Sequence, residues 1–273
     1  MVTVSLTTDW GDSGLYLGMF KAKLVRHLPG VQIVDISHTI PVYHVEDAVF
    51  ALRNAYKYFP PKTIHVVSVA SKTIADKEKN REFICFQYNY QYFIGPNNGL
   101  WEMLLDAVPN RVYKIDFQSK SMGNFPEADI FVETIGKLAL GGGLERIGSP
   151  VPFTRGMRIN QPQIDDRQII GNYLYFDTYG NGVTNISKEL FEQVGKGRPF
   201  TIMAGRENVK TDVVSTDYNS TSDSLIALFN VSGFMELAMP YYSLKSHLFV
   251  DDRTRILIRF YDSEAEKDAF KLF

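Results

Sequence analysis

The sequence predicts an α/β N-terminal domain with a mainly parallel sheet flanked by helices, followed by an all-β C-terminal domain built as a small barrel. Three observations predict it. Apolar, β-branched runs alternate with helically spaced apolar residues through the first half. Short strand-like runs separated by turn residues dominate the second half. Between them, residues 149–166 hold three prolines and no periodicity, the texture of a linker. The expected organisation is an α/β domain over 1–150, a linker over 151–166 and a β-barrel over 167–273.

The elements follow in order. Residues 2–7 read as a first strand that runs into Thr8-Asp9-Trp10-Gly11-Asp12-Ser13-Gly14. Leu17, Phe20, Leu24 and Leu28 then recur at helical spacing until Pro29-Gly30 stops the helix. Residues 31–36 form a second strand. Val45, Ala48, Leu52, Tyr56 and Phe59 mark a second helix, with Glu46 and Asp47 at its positive end and Pro60-Pro61 beyond it. Residues 64–69 are apolar and β-branched without alternation, as in a buried parallel strand. Strands over 83–88 and 91–94 make a hairpin across Asn89-Tyr90. The turn 95–99 leads to a helix over 100–107, and a last helix over 128–140 closes on Gly141-Gly142-Gly143. In the second half, strands are expected over 169–176, 183–186, 200–203, 225–230, 234–238 and 256–260, with a turn at Asp177-Thr178-Tyr179-Gly180-Asn181-Gly182.

Composition narrows the function classes. With 45% hydrophobic residues among 273, the chain can bury a sizeable core. A net charge of −2 without a basic stripe argues against nucleic-acid binding. Residues 72–81 alternate in charge and read as a solvated loop. The single cysteine, Cys85, excludes an intrachain disulfide and sits in an apolar run, as a buried structural thiol does. No apolar stretch approaches membrane-spanning length and the N-terminus lacks a leader's layout, so a soluble cytoplasmic protein with no membrane partner is expected. The five histidines are scattered, so no metal motif is present. No phosphate-binding loop, dinucleotide fingerprint or nucleophile elbow is found either.

The candidate site residues are polar groups at strand ends, where open α/β sheets bind ligands. They are Asp9, Asp12 and Ser13, then residues 38–44, then Asp177, Tyr179 and Asn181, with Asn230 and Ser232 in a separate turn. Each has a plain alternative. Asp9 and Asp12 suit turns or helix caps, His38 suits a loop brace, and Tyr43 suits aromatic packing. Asp177 and Asn181 suit turn chemistry without a ligand.

The order of these loops carries a resemblance. The blocks are Thr7-Thr8-Asp9-Trp10-Gly11, Ile33-Val34-Asp35-Ile36-Ser37-His38-Thr39-Ile40-Pro41 and Tyr58-Phe59-Pro60-Pro61-Lys62-Thr63-Ile64-His65. They continue with Phe93-Ile94-Gly95-Pro96-Asn97-Asn98-Gly99-Leu100, Asp177-Thr178-Tyr179-Gly180-Asn181 and Asn230-Val231-Ser232-Gly233-Phe234-Met235-Glu236-Leu237-Ala238. Nearly end to end, the chain resembles the S-adenosylmethionine (SAM) hydroxide adenosyltransferase family, which includes the fluorinase and chlorinase enzymes. The resemblance implies a homotrimer that binds SAM, without a separate cofactor, between one subunit's N-terminal domain and its neighbour's C-terminal domain. It implies that Asp9 accepts the ribose hydroxyls, that Tyr43 packs near ribose and sulfonium, and that Asp177 holds the ammonium. Tyr179, Asn181 and Tyr218 surround the adenine and amino-acid ends, and Ser232 lies near the carboxylate. Val231 stands where the family often has serine.

The implied chemistry is displacement at the ribose 5′ carbon by water or another small nucleophile, with methionine leaving as a neutral thioether. In the hydroxide-using branch an aspartate, an arginine and a histidine position the water. Here Ala70 replaces that aspartate and Pro126 that histidine, and neither is an acid, a base or a hydrogen-bonding orienter. Lys77 or Arg81 is nearest to the arginine's place, and Glu127 is a weak substitute that equally suits the first turn of a helix. Two readings follow: an enzyme with a rebuilt water site, or a SAM or adenosine binder or sensor without catalysis.

Overall fold

The computed structural model describes residues 2–42, 44–71, 82–105, 107–116, 125–153, 161–205, 209–219 and 224–270. The chain forms two compact units, Met1–Met157 and Arg158–Phe273. Among the described residues no helix is long and apolar enough to cross a membrane.

The first unit runs β1 (Thr3–Thr8), α1 (Leu15–His27), β2 (Gln32–Ser37), α2 (Val45–Ala55), β3 (Ile64–Ser68), β4 (Phe83–Tyr88), β5 (Gln91–Pro96), α3 (Leu100–Leu104), β6 (Val112–Ile115), α4 (Pro126–Ala139) and β7 (Gly148–Pro150). Its sheet has the order β2-β1-β3-β5-β4-β6-β7. The first four strands are parallel, whereas β4, β6 and β7 join antiparallel. The sheet is therefore mixed, which corrects the expectation of a mainly parallel one. The tight turn at Asn89-Tyr90 is responsible, since both residues have positive φ (49° and 62°), as a two-residue hairpin of matching twist requires. It sends β4 back along β5 and sets the direction for β6 and β7.

Parallel register brings the strand ends together. Thr8 pairs with Ser68 and Thr7 with Ser37, so the loops after β1, β2 and β3 leave one edge of the sheet side by side. Alternation along the strands sorts the two faces. Val4, Leu6, Ile64 and Val66 meet Leu17, Phe20 and Leu24 of α1 and Phe131 and Ile135 of α4. His65 points the other way, with its ring against Tyr56, Phe59 and Phe93 and Nδ1 2.6 Å from Ser5 Oγ. Burial holds its pKa at about 4. Cys85 is fully buried, and burial pushes its thiol pKa well up, as a structural cysteine's would be.

The second unit contains β8 (Gln163–Ile164), β9 (Gln168–Phe176), β10 (Gly182–Ser187), α5 (Lys188–Gly195), β11 (Phe200–Met203), β12 (Lys210–Thr211), β13 (Ile226–Phe229), β14 (Phe234–Ala238), α6 (Leu244–Leu248), β15 (Arg255–Phe260) and α7 (Glu264–Phe270). The order is β12-β11-β15-β9-β10-β14-β13, with β8 also on β9, and each of these pairings is antiparallel. Ser215, just past β12, donates its N–H to Ala227 O at 2.7 Å, which brings the two ends of the sheet together into a nearly closed barrel. Ile169, Ile186, Ile202, Met235, Leu237, Ile256 and Ile258 fill it.

Two expectations need adjustment here. The unit is not all-β, because α5 to α7 are helical. Ser187 caps α5 by accepting from Leu190 N–H at 3.1 Å, and Ser243 caps α6 by accepting from Ser246 N–H at 3.1 Å. Each helix spans eight residues or fewer, too short for a sustained periodicity to mark it in the sequence. The stretch read as a linker also contributes pairing at its far end, where β8 lies on β9. Residues 154–160 lie outside the described residues.

Candidate functional site

In the first unit the site begins at the carboxyl ends of β1 and β3. Asp9 donates its backbone N–H to Ser68 O at 3.2 Å, and its Oδ2 accepts the Ala70 N–H at 3.0 Å. Burial raises the Asp9 carboxyl pKa above its ordinary value, with the N–H groups of Ala70 and Asp9 itself opposing it. Ala70 has φ of +50°, uncommon for a residue with a Cβ, and this conformation accompanies its bond to the carboxylate.

The loop after β2 is tied to the same edge. Gly11, at φ +81°, donates its N–H to His38 O at 2.8 Å. The buried His38 ring places Nδ1 2.8 Å from Thr8 Oγ1 and Nε2 3.0 Å from Asp35 Oδ1. Burial alone would raise Asp35, but Lys21 at 2.6 Å and His38 outweigh it and hold the carboxyl low. His38 is thus a brace between loops. Trp10 packs edge-on against Phe20 (5.3 Å) and Phe125 (4.8 Å), bringing the start of α4, with Pro126 and buried Glu127, beside the Asp9 loop. Ser68 and Ser71 stand with their hydroxyls 3.1 Å apart, and Asn98 donates Nδ2 to Val69 O at 3.3 Å.

The second unit carries a cleft of about 1050 Å³, lined by Asp177, Tyr179, Asn181, Tyr218, Tyr241 and Tyr242 among others. The turn at its floor is closed by Asp177, whose Oδ1 accepts Asn181 N–H at 2.8 Å and whose Oδ2 accepts Asn181 Nδ2 at 3.0 Å. Gly180 has φ +83°, and a Cβ there would come within 2.0 Å of Ser243 Oγ, so only glycine fits. Gly180 O in turn accepts the Lys245 N–H of α6 at 3.0 Å.

A second network crosses the barrel wall. Tyr218 donates its hydroxyl proton to Glu236 Oε1, and Asn230 Nδ2 donates to Glu236 Oε2 at 3.1 Å. Asn230 Oδ1 accepts both the N–H of Ser232, at 3.0 Å, and its hydroxyl. Burial first, then the hydrogen bond and charge of Glu236 and the charge of Asp177, push the Tyr218 hydroxyl pKa well up. Tyr179 and Tyr241 are 81% and 101% exposed, so their ring faces are open for stacking on a planar or cationic group.

The residues singled out in the sequence fall into two sets. Asp177, Tyr179, Asn181 and Tyr218 line one cleft; Ser232 does not line it and is linked to Tyr218 through Asn230 and Glu236. Asp9 belongs to the strand-end loops of the first unit, hydrogen-bonded to Ala70, while Phe125, next to Pro126 and Glu127, packs on the neighbouring Trp10. Tyr43, Lys77 and Arg81 lie outside the described residues. Sequence reasoning missed Glu236, Tyr241 and Tyr242 as site residues. The adjacent tyrosines after Pro240 are a readable signal, whereas Glu236, although inside a block that carries the resemblance, stands as one polar position in a strand with no role assigned to it.

Fold and clefts define a two-unit protein: an α/β unit with polar strand-end loops, then a barrel bearing a polar, tyrosine-lined cleft suited to a small organic ligand. The chain belongs to the SAM hydroxide adenosyltransferase family, whose N-terminal domain matches residues 4–148 and whose C-terminal domain matches residues 171–256. An (R)-S-adenosyl-L-methionine hydrolase of Methanocaldococcus jannaschii is 25% identical over 96% of this chain and 94% of its own length. Another of that name, from Thermus thermophilus, is 27% identical over 68% of this chain and 75% of its own. An uncharacterized conserved protein from Thermotoga maritima superposes with a TM-score of 0.79 at 26% identity, covering 94% of this chain and all of that one.

Proposed function

We propose that this protein cleaves SAM at the ribose 5′ carbon with water, giving methionine and adenosine. The observation that carries the reading is the nearly full-length match to a relative named as a SAM hydrolase. Asp9 accepts the ribose hydroxyls. A carboxylate has about four acceptor sites, so its backbone contacts leave capacity for a vicinal diol. Asp177 takes the ammonium, Asn181 keeps that carboxylate turned, and Tyr179 with Tyr241 and Tyr242 supplies flat faces for the purine. Tyr43 lies near ribose and sulfonium, and Ser232 near the ligand's carboxylate.

The water oxygen attacks C5′ in line as the C5′–S bond breaks, and the sulfonium electron pair stays on methionine. The leaving group is neutral, so it needs no acid. Water loses its proton to solvent or to a nearby carboxylate. The protein's work is alignment and partial desolvation. Ala70 and Pro126 offer no side chain for that, so the hydroxyls of Ser68 and Ser71, the amide of Asn98 and the carboxylate of Glu127 are the groups from which the water site is rebuilt. The homotrimer that the sequence resemblance implies is part of the proposal, and light scattering tests it by reading three chain masses.

Purified protein incubated with SAM, with and without halide, should yield adenosine and methionine in equal amounts by chromatography, independent of halide. Formation of 5′-halo-adenosine would show halide in place of water as the nucleophile. Tight binding without product would make the protein a binder or sensor instead.

A further inference from the structure

The network behind the cleft has a direction fixed from one end. Ser232 donates a backbone N–H to Asn230 Oδ1, and a backbone N–H can only donate. The Asn230 amide is therefore turned with its oxygen toward Ser232 and its nitrogen toward Glu236 Oε2. Glu236 is 6% exposed, and as a carboxylate it only accepts. Its Oε1 takes the one proton of the Tyr218 hydroxyl. What Tyr218 still presents to the cleft is a pair of electrons, not a proton.

We infer that Glu236 is a positioning residue that makes Tyr218 a hydrogen-bond acceptor for the α-ammonium group of the ligand. The inference rests on the SAM reading and adds the groups that select for the amine. Tyr218 and Asp177 line the same cleft, and the Asp177 charge is felt at the Tyr218 hydroxyl. Among the described lining residues none is Lys, Arg or His, so the cleft sets no cation against an ammonium. An ammonium has three donors and no acceptor, matching an acceptor-only pair of Asp177 and Tyr218. A ligand without the amine brings no donor to the Tyr218 oxygen and no charge to Asp177, which keeps only its Asn181 bonds, so the site favours the amine.

The Glu236→Gln variant tests the direction of the chain. Asn230 Nδ2 still requires an oxygen opposite it, so the glutamine turns its NH₂ toward Tyr218 and donates. Tyr218 must then point its proton into the cleft, against the ammonium. Calorimetric titrations of SAM, of its analogue with hydrogen replacing the α-amino group, and of its 6-oxopurine analogue would be run on wild type, Glu236→Gln, Tyr218→Phe and the double variant. Thermal melts would accompany them.

Glu236→Gln should weaken SAM about tenfold or more while moving the deaminated analogue less than about twofold, because only the amine meets the reversed hydroxyl. In the Tyr218→Phe background the same change should add less than about twofold, since there is no proton left to redirect. Equal weakening of SAM and the deaminated analogue, or an undiminished effect in the Tyr218→Phe background, would reduce Glu236 to a structural residue and overturn the inference. Weakening of SAM and of the deaminated analogue with the 6-oxopurine analogue spared or bound more tightly would place the Tyr218 oxygen against the purine amino group and overturn it as well. If Glu236→Gln does not fold, Tyr218→Phe alone decides: it must weaken SAM and spare the deaminated analogue, and weakening both equally overturns the inference. Wild type that binds none of the three probes overturns the SAM reading itself and the inference with it, a pattern separate from the others.

Discussion

Ala70 donates its backbone N–H to Asp9 Oδ2 at 3.0 Å across the ends of two adjacent strands, β1 and β3. Ala70, which by the sequence resemblance stands where the family has an aspartate, thus turns its main chain toward the carboxylate proposed to hold the ribose. In the proposed reaction ligand holding and water positioning are separable: Asp9 is assigned the first, while Ala70 has no side chain for the second.

Asp9→Ala should weaken SAM binding by about 1.5–3 kcal/mol, the contribution of hydrogen bonds to a charged group. Calorimetry measures it. Unchanged affinity would remove Asp9 from the ribose and leave it a loop brace.

Ala70→Gly should raise stability by about 0.5–1 kcal/mol, because relief of a left-handed Cβ exceeds the added backbone entropy of glycine. Urea denaturation measures it. A loss of stability would mean that φ of +50° carries no strain in this loop.

The buried His65 ring should titrate near pH 4 in the folded protein rather than at 6.5, which a histidine-ring NMR titration reads directly. Its unfolded pKa lies above its folded one, so the unfolded chain binds the extra proton. The contribution to stability is complete above pH 6.5 and falls away as pH drops through 6.5 toward 4, by up to about 3 kcal/mol. Denaturation midpoints measured across that window should decline on acidification. A midpoint near 6.5 for the ring would contradict the burial argument.

Gly180→Ala should cost about 1–3 kcal/mol, because its Cβ would meet Ser243 Oγ at 2.0 Å and its φ of +83° disfavours a side chain. Ser243 also caps α6, so a shift there loosens the helix next to the cleft. SAM affinity should fall together with stability. Retention of both would show that the turn at Asp177 adapts freely.

Much of this architecture was readable from local chemistry. Asn89-Tyr90 marked a hairpin and Pro29-Gly30 a helix end, and both features stand where they were read. Asp177 and Asn181 were legible because a turn of Asp, Gly and Asn has few other uses. β6 was not legible: Val112-Tyr113-Lys114-Ile115 is too short to be distinguished from a loop until β4 and β7 flank it. The helices α5 to α7 hid for the same reason. Glu236 lies in a block that carries the resemblance but has no role readable there, because its partners are Tyr218, 18 positions away, and Asn230 across a turn. Such networks are set by tertiary meeting points, and no local pattern announces them.

Displacement of methionine by water at C5′ leaves an isotopic mark, read by running the reaction with SAM in ¹⁸O-labelled water and weighing adenosine by mass spectrometry. Attack by water puts one ¹⁸O in each adenosine, carried at the 5′ oxygen, with one methionine released per label. Unlabelled product, or SAM bound and recovered intact, would contradict it.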